Sequence, residues 1–493
     1  MNRQLKRVTR VIFLMFAVLL FAITMIQFVN ADELKADARN QRTMKNSFGV
    51  ERGPILVSGS PVALSEPTDD EYKFTRVYTE GSQYAAVTGY FSRYQGATGI
   101  EAAMNRELSG DSESQFLDRL NRIISGQPPQ GSAVELTLDP EVQKVAMSAL
   151  DGVSGAIVAL DPKTGKVLAM ASNPSYDPNA LSGNDDAQII KTYKELEADP
   201  GKPLINRTIN GDLYHPGSTF KLIDAAAALE TGNYTPDSTF ANPAAFQLPQ
   251  SDAVMMNASR TKCGPGEKVT MRQALVFSCN IPFAELAIEL NRQTVTKMAK
   301  AFGFGSGTDI PLTVTPSEFP VVVDDAQLAL ASIGQLDVRA TPLQIAMVSA
   351  AIANNGTMMK PQLVQSVVAP NLSTQSGFAS EILGTPISEA TAQTLNSMMQ
   401  SVVADPGGTA AKAAIPGVAV GGKTGTAENG KDESGNDKPF TLWFTGFAPA
   451  NDPKVAIAVV IENGGGPKFN YQATSYDLAS LIGKQVMEAV LAQ

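Results

Sequence analysis

The run from Val11 to Val29 constrains this chain more than any other stretch. Thr24 and Gln27 are its only plainly polar members, and as a helix its nineteen residues span roughly 28 Å, enough for a bilayer core. Arg3, Lys6, Arg7 and Arg10 precede it, and no acidic residue occurs before Asp32. The basic flank is therefore expected inside and everything after the span outside. A cleaved secretory signal is the alternative, but its apolar stretch is usually shorter and ends in small residues. Here the stretch ends Ile26-Gln27-Phe28-Val29-Asn30. The expectation is a cytoplasmic head at 1–10 and an uncleaved anchor at 11–29.

Charge narrows the partners. The chain of 493 residues carries 39 basic and 49 acidic residues, a net charge of −10. Setting aside the four basic residues before the span leaves 35 basic against 49 acidic outside, or −14. Nucleic acid would require a positive footprint and is not an expected partner. Cys263 and Cys279 both fall in the external part, where an oxidising environment favours a disulfide over two buried thiols. Two cysteines and the single His215 do not make a metal site, and neither a structural nor a catalytic metal is expected.

The external part reads as two domains. From 32 to 130, short strand-like runs such as Gly53-Pro54-Ile55-Leu56-Val57 and Tyr84-Ala85-Ala86-Val87 alternate with breaks. A short helix is predicted from Glu101 to Leu108. This is the pattern of a small, mainly β pedestal or interaction domain. Gly126-Gln127-Pro128-Pro129-Gln130-Gly131 reads as a linker, and 131–493 as the second domain. Within it, Ala133–Leu138 alternates as a strand, and Asp139-Pro140-Glu141 opens a helix through Val142, Val145, Ala146 and Leu150. Gly155–Leu160 and Lys166–Met170 flank a tight turn as a hairpin. Lys454–Glu462 reads as a late strand and Tyr471–Leu491 as a closing helix. Strands early and late with helices between predict a mixed α/β domain around one central antiparallel sheet.

Three short strings carry the chemistry: Ser218-Thr219-Phe220-Lys221, Ser278-Cys279-Asn280 and Lys423-Thr424-Gly425-Thr426. Each alone is weak evidence; their order and company are strong. After the turn Tyr214-His215-Pro216-Gly217, Ser218 starts a helix that continues to a Gly232 cap, which places Lys221 one turn from Ser218 on the same face. A serine hydroxyl needs a neighbouring base, and Lys221 is that base once burial lowers its proton affinity. The alternative is an N-cap serine followed by a surface lysine. Ser278 and Asn280 leave a helix beginning at Met271. A second serine can pass a proton, and the Asn amide can hold a substrate carbonyl or the lysine. Val418–Gly421 is expected as a strand leading into Lys423, whose charge suits a carboxylate together with the hydroxyls of Thr424 and Thr426. The small residues, Gly425 among them, admit a substrate backbone along the edge. Trp443–Pro449 reads as the next strand, its aromatics packed in the core.

Ser-x-x-Lys, Ser-x-Asn and Lys-Thr-Gly are a set known from penicillin-binding proteins and β-lactamases. The chain resembles the class B penicillin-binding proteins, in particular those of actinobacteria, over nearly its whole length. The resemblance takes in Glu51-Arg52-Gly53-Pro54-Ile55, Ala156–Met170, Asn206-Arg207, Tyr214–Lys221, Gly334-Gln335, Thr341-Pro342-Leu343-Gln344, Ala351–Gly356 and Lys423–Thr426.

That resemblance implies a peptidoglycan D,D-transpeptidase. Ser218 attacks the penultimate D-alanine carbonyl, Lys221 is the base, Ser278 relays a proton and Asn280 orients the chain. Lys423, Thr424, Gly425 and Thr426 hold the donor carboxylate, and the backbone N–H groups of Ser218 and Thr426 form the oxyanion hole. It implies no cofactor. The implied partners are peptidoglycan stem peptides with their lipid-linked precursor polymer, β-lactams as covalent inhibitors, and membrane proteins of wall synthesis or the divisome. Cys279 between Ser278 and Asn280 is a distinctive middle residue, and a bridge to Cys263 would stiffen that loop. His215 is expected as a turn residue. A D,D-carboxypeptidase, or a scaffold with little catalysis, are the alternatives. Against a β-lactamase stands the lack of a clear second carboxylate motif. Against a glycan polymerase stands the short pedestal, and against a sensor the ten-residue head.

Overall fold

The computed structural model describes residues 2–30, 48–70, 72–112, 125–126, 130–211, 213–308 and 310–493. Helix α1 (Asn2–Thr24) continues as a π-helical turn over Met25–Val29. Its Lys6–Gln27 portion has a mean hydropathy of 2.4 and is the one described helix with the length and composition to cross a membrane.

The pedestal begins with strands β1 (Ile55–Val57), β2 (Ser60–Pro67) and β3 (Phe74–Tyr78), paired antiparallel in that order. Helix α2 (Gly81–Thr88) follows. This overturns the strand expected over Tyr84–Val87. Four apolar residues carry no period of their own. Here Gly81, Tyr84, Ala85, Val87 and Thr88 are buried together on a helix, and Asn206 ties it down by donating to Ala86 O at 2.7 Å. Two short helices, Gly99–Ala103 and Asn105–Leu108, stand where one was expected. The pedestal core holds a buried ion triad. Glu101, 0% exposed, accepts from Arg52 Nε and Arg76 Nε, each at 2.6 Å.

Residues 127–129 of the expected linker lie outside the described residues. Strand β4 (Ala133–Leu136) then joins β1 in parallel. Asp139 caps helix α3 (Pro140–Ala149) by accepting from the backbone N–H groups of Glu141 and Val142. The hairpin of β5 (Gly155–Leu160) and β6 (Val167–Asn173) follows as the sequence indicated.

Farther along the chain, strands β7 (Val364–Val368) and β8 (Thr374–Gly377) complete a six-stranded sheet in the order β8-β7-β4-β1-β2-β3, which runs across residue 131. Strands β9 (Gly421–Ala427), β10 (Thr441–Ala448) and β11 (Val455–Ile461) complete the central sheet, order β9-β10-β11-β5-β6, antiparallel throughout. The late strand and the early hairpin pair directly, Val459 opposite Ile157.

Helices cover both faces of this sheet, because successive strand residues point to opposite sides. Thr445 meets Ser349 of the wholly buried helix α6 (Pro342–Ala353) at 2.6 Å between hydroxyls. Its neighbour Phe444 meets the closing helix α7 (Ser480–Leu491), where a Cβ on Gly483 would lie 2.2 Å from the ring. The closing helical segment starts at Ser475, not at Tyr471. Asn470 and Tyr471 have φ of 50° and 61°, and Thr474 caps by accepting from the Asp477 N–H.

Candidate active site

The local chemistry of the sequence builds the nucleophile turn. Gly217–Thr219 is one 3-10 turn, after which helix α4 (Lys221–Glu230) runs buried through the domain. Three further helices take part: α5 (Met271–Val276), Ile281–Leu290 and Glu389–Ala404. Ser218 lines a cleft of about 1020 Å³. Ser278, Asn280, Thr424 and Thr426 line the same cleft, with Val254, Met256, Phe277, Leu336, Phe440 and Tyr476 on its walls.

Glycines bring the parts into contact. A Cβ on Gly425 would lie 2.8 Å from Pro216 O and 3.0 Å from both Thr219 Cγ2 and Trp443 Cβ. The nucleophile turn therefore rests on the strand at a spot where no side chain fits. Behind it, Gly217 N–H donates to Gly334 O at 3.0 Å, and a Cβ on Gly334 would fall 2.1 Å from Gly217 O. This accounts physically for Gly334 in the sequence pattern. Trp443 is buried, and its Nε1 also donates to His215 O at 2.9 Å, fixing the turn from beneath. His215 Nδ1 lies 3.0 Å from Val338 O, a turn contact.

Lys221 is fully buried, and its Nζ donates to Ser278 O and to Asn280 Oδ1, each at 2.8 Å. Of the two roles open to Asn280, holding the lysine is the one present. Its Nδ2 donates to Met256 O at 2.9 Å, which fixes the amide orientation. Lys423 is equally buried, and its Nζ donates to Ser278 Oγ at 2.7 Å and to Thr424 O at 2.8 Å. Ser278 thus serves one lysine through its carbonyl and the other through its hydroxyl, from a backbone φ of 58°. Such a conformation is uncommon for a residue with a side chain and marks a held geometry.

Electrostatics follow from burial. Desolvation first, and the nearby Lys423 second, hold the Lys221 amine well below the usual lysine range, while Asp224 acts to raise it. Desolvation brings Lys423 down to about 7. Both amines are thus disposed to lose their protons far more readily than a surface lysine.

The Lys-Thr-Gly string lies within strand β9, not after it. Residues 415–418 form a turn instead, Val418 N–H donating to Ile415 O at 3.1 Å, because the partner strand reaches back only to Gly421, opposite Phe447. Strand β9 is an edge of the central sheet, buried except at Thr426. Thr424, Thr426 and Glu428 alternate toward the cleft.

Cys263 and Cys279 are joined by a disulfide across 16 residues. Cys279 is fully buried, so the bridge anchors the loop between Ser278 and Asn280. Three contributors escaped the sequence reading. Asn257 Oδ1 accepts from Asn280 N–H at 3.0 Å, the Ser475 hydroxyl lies 3.0 Å from Thr426 Oγ1, and Asp224 is buried one turn beyond Lys221. Asn257 sits in a loop with no local signal, and Ser475 opens the closing helical segment behind the Thr474 cap. The signal for Asp224 is an acid inside an otherwise apolar helical run.

The chain is similar to known proteins over nearly its whole length. Residues 155–488 match the penicillin binding protein transpeptidase domain, and residues 52–134 the penicillin binding protein A dimerisation domain. The chain is 41% identical over 497 residues to the peptidoglycan D,D-transpeptidase PbpA of Mycolicibacterium smegmatis, covering 100% of this chain and 99% of that protein. It is 38% identical over 500 residues to the PbpA of Mycobacterium tuberculosis, with the same coverage. The ceftriaxone acyl-enzyme complex of M. tuberculosis penicillin-binding protein A superposes with a TM-score of 0.86 at 37% identity, covering 91% of this chain and 100% of that one. Its penicillin G acyl-enzyme complex gives 0.83 at 38%, with 90% and 100% covered.

Proposed function

Because this chain belongs to the penicillin-binding protein transpeptidase family, we propose that it is a peptidoglycan D,D-transpeptidase acting through an acyl-enzyme on Ser218. The observation that carries this reading is the convergence of Lys221 and Lys423 on Ser278 beside the Ser218 cleft. A buried amine with two neutral acceptors is a competent base for a serine one helical turn away.

In this reading Lys221 takes the Ser218 Oγ proton as the oxygen attacks the penultimate D-alanine carbonyl. The backbone N–H groups of Ser218 and Thr426 receive the oxyanion. The proton passes from Lys221 by way of Ser278 Oγ to the leaving nitrogen, and the terminal D-alanine departs. An amine of a neighbouring stem peptide then takes the acyl group. Lys423, Thr424 and Thr426 hold the donor carboxylate, and Gly425 lets the donor backbone and the nucleophile turn lie close. Asn280 positions the base. β-Lactams react at the same serine. The chemistry assigned here uses protein groups alone.

The domain division that goes with this function is a head at 1–10, an anchor at 11–29, a pedestal at 32–130 and a transpeptidase domain at 131–493. The basic head sits in the cytoplasm and the catalytic domain outside, where the lipid-linked precursor polymer and nascent stem peptides are found. The pedestal is the surface for wall-synthesis or divisome membrane proteins.

The test is intact-mass spectrometry of the full chain in detergent, with and without benzylpenicillin, beside Ser218→Ala. A stable gain of one drug molecule that the variant lacks supports the reading, and a peptide donor with and without an amine acceptor then separates transfer from hydrolysis. Rapid loss of the adduct, or none on folded protein, counts against it.

A further inference from the structure

Helix α4 carries two acids that the reaction above leaves without a task; Glu230 accepts from Ser388 at the far end, whereas Asp224 lies beside the base. It is 0% exposed, and neither carboxyl oxygen accepts a hydrogen bond from the protein. Buried carboxyl groups are ordinarily paired, since an unsatisfied one costs free energy that folding alone gives no reason to spend. It stands three residues after Lys221, on the same face of α4. Helical side chains lean toward the N-terminus, so the carboxyl projects toward the lysine stem.

Lys221 has a matching deficiency. Its two hydrogen-bond acceptors, Ser278 O and Asn280 Oδ1, are neutral. Lys423, its cationic neighbour, disfavours a charge on it, and Asp224 is the acid that favours one. Resting on the reading of Ser218 as nucleophile and Lys221 as base, we propose that Asp224 is a positioning residue whose carboxylate offsets the buried ammonium formed when Lys221 takes the Ser218 proton. The proton travels from Ser218 Oγ to Lys221 Nζ and on to the leaving nitrogen. Asp224 makes and breaks no bond; it acts through the low-dielectric space between the two side chains.

The surroundings isolate this pair. Helices packed on α4 carry Glu285, Glu289, Arg292, Lys297, Lys300 and Glu389. None of these acts on Asp224: burial pushes its carboxyl well above the usual carboxylate range, and the charge on Lys221 is the one interaction that draws it back toward the carboxylate. From the sheet, Lys423 bears on Lys221. A carboxyl whose one charged neighbour is the base responds to the base's charge and to little else.

The experiment is the pH profile of acylation by a chromogenic cephalosporin, for wild type and Asp224→Asn, on the full chain in detergent. Removing the carboxylate weakens the base, so the variant is slower above the acid limb. It also lets Lys221 stay unprotonated at lower pH. The variant-to-wild-type rate ratio therefore rises, by roughly threefold or more, from the top to the foot of the wild-type acid limb. A ratio constant across pH overturns the proposal, since damage to packing lowers the rate without moving the limb. Asp224→Ala and Asp224→Ser remove the same charge and carry the comparison if the amide does not fold. Failure of all three to fold assigns the carboxyl to folding and also overturns the proposal. Absence of acylation in wild type would instead overturn the assignment of Ser218, a result distinct from either.

Discussion

Lys423 Nζ donates to Ser278 Oγ at 2.7 Å, while Lys221 Nζ donates to the carbonyl of the same residue at 2.8 Å. One serine therefore couples two buried amines that approach it from a strand and a helix. Neither lysine is available to solvent, so the chemistry of each depends on where Ser278 is held.

Ser278→Ala removes the hydroxyl acceptor of Lys423 and the proposed relay, leaving the carbonyl to Lys221. Acylation by benzylpenicillin is expected to fall about 10²-fold or more, the usual weight of a positioned proton-transfer group. Stopped-flow acylation beside a thermal melt checks this, with a much smaller change in melting temperature than in rate.

Lys221→Arg tests whether the base must lose its proton. Burial and Lys423 hold the lysine well below its usual range, so it is a free amine at lower pH than an exposed lysine and acylation climbs as pH rises through its titration. Arginine does not deprotonate in this range. The variant is expected to lose about 10²- to 10⁴-fold at every pH, and a wild-type-like rate at high pH would contradict the assignment.

Glu101 links pedestal stability to pH. Burial would raise this carboxyl, but Arg76 and Arg52 together hold it below the usual value. A depressed folded value means stability that is present above the unfolded value, about 4.3, and lost as pH falls through the folded one. Glu101→Ala strands two buried guanidinium groups and should cost about 3–5 kcal/mol. Denaturant melts at neutral and acidic pH read both effects, the variant showing the weaker acid dependence.

Gly425→Ala is expected to separate the nucleophile turn from its strand. The added Cβ would meet Pro216 O at 2.8 Å and has no flexible neighbour to displace. A destabilisation of about 1–3 kcal/mol accompanies such overpacking, together with at least a tenfold loss in acylation. Full activity with unchanged melting would show that the contact yields at no cost.

The disulfide closes a loop of 16 residues, which for that length corresponds to about 3 kcal/mol in the unfolded-state entropy account. Cys263→Ser is expected to lose stability of that order and to slow acylation, because Cys279 lies between Ser278 and Asn280. Chemical denaturation and acylation kinetics under oxidising and reducing conditions test it; unchanged kinetics would confine the bridge to stability.

Much of the architecture was legible because its signals are local. Asp139-Pro140 is a cap and a first-turn proline, Asp161–Gly165 a tight turn, and Val455–Ile461 a run too apolar to lie anywhere but a sheet centre. Where signals are short or absent, tertiary contacts decide the element. Tyr84–Val87 reads equally as strand or helix until Asn206 and the buried face decide it. The start of β9 depends on how far its partner strand reaches, which no residue between 418 and 421 encodes.

The sequence by itself determined the N-terminal apolar span, the α/β order of elements and the candidates Ser218, Lys221, Ser278, Asn280 and Lys423, since these rest on composition, periodicity and spacing along the chain. Tertiary structure alone decided which atoms meet: Lys423 on the Ser278 hydroxyl, Lys221 on its carbonyl, the six-stranded sheet that crosses residue 131, and the burial of Asp224 behind the base. The physical reason is range. Caps, turns and helical faces are set by neighbours within a few residues, whereas the proton affinity of a buried amine is set by desolvation and by charges brought from segments two hundred residues apart.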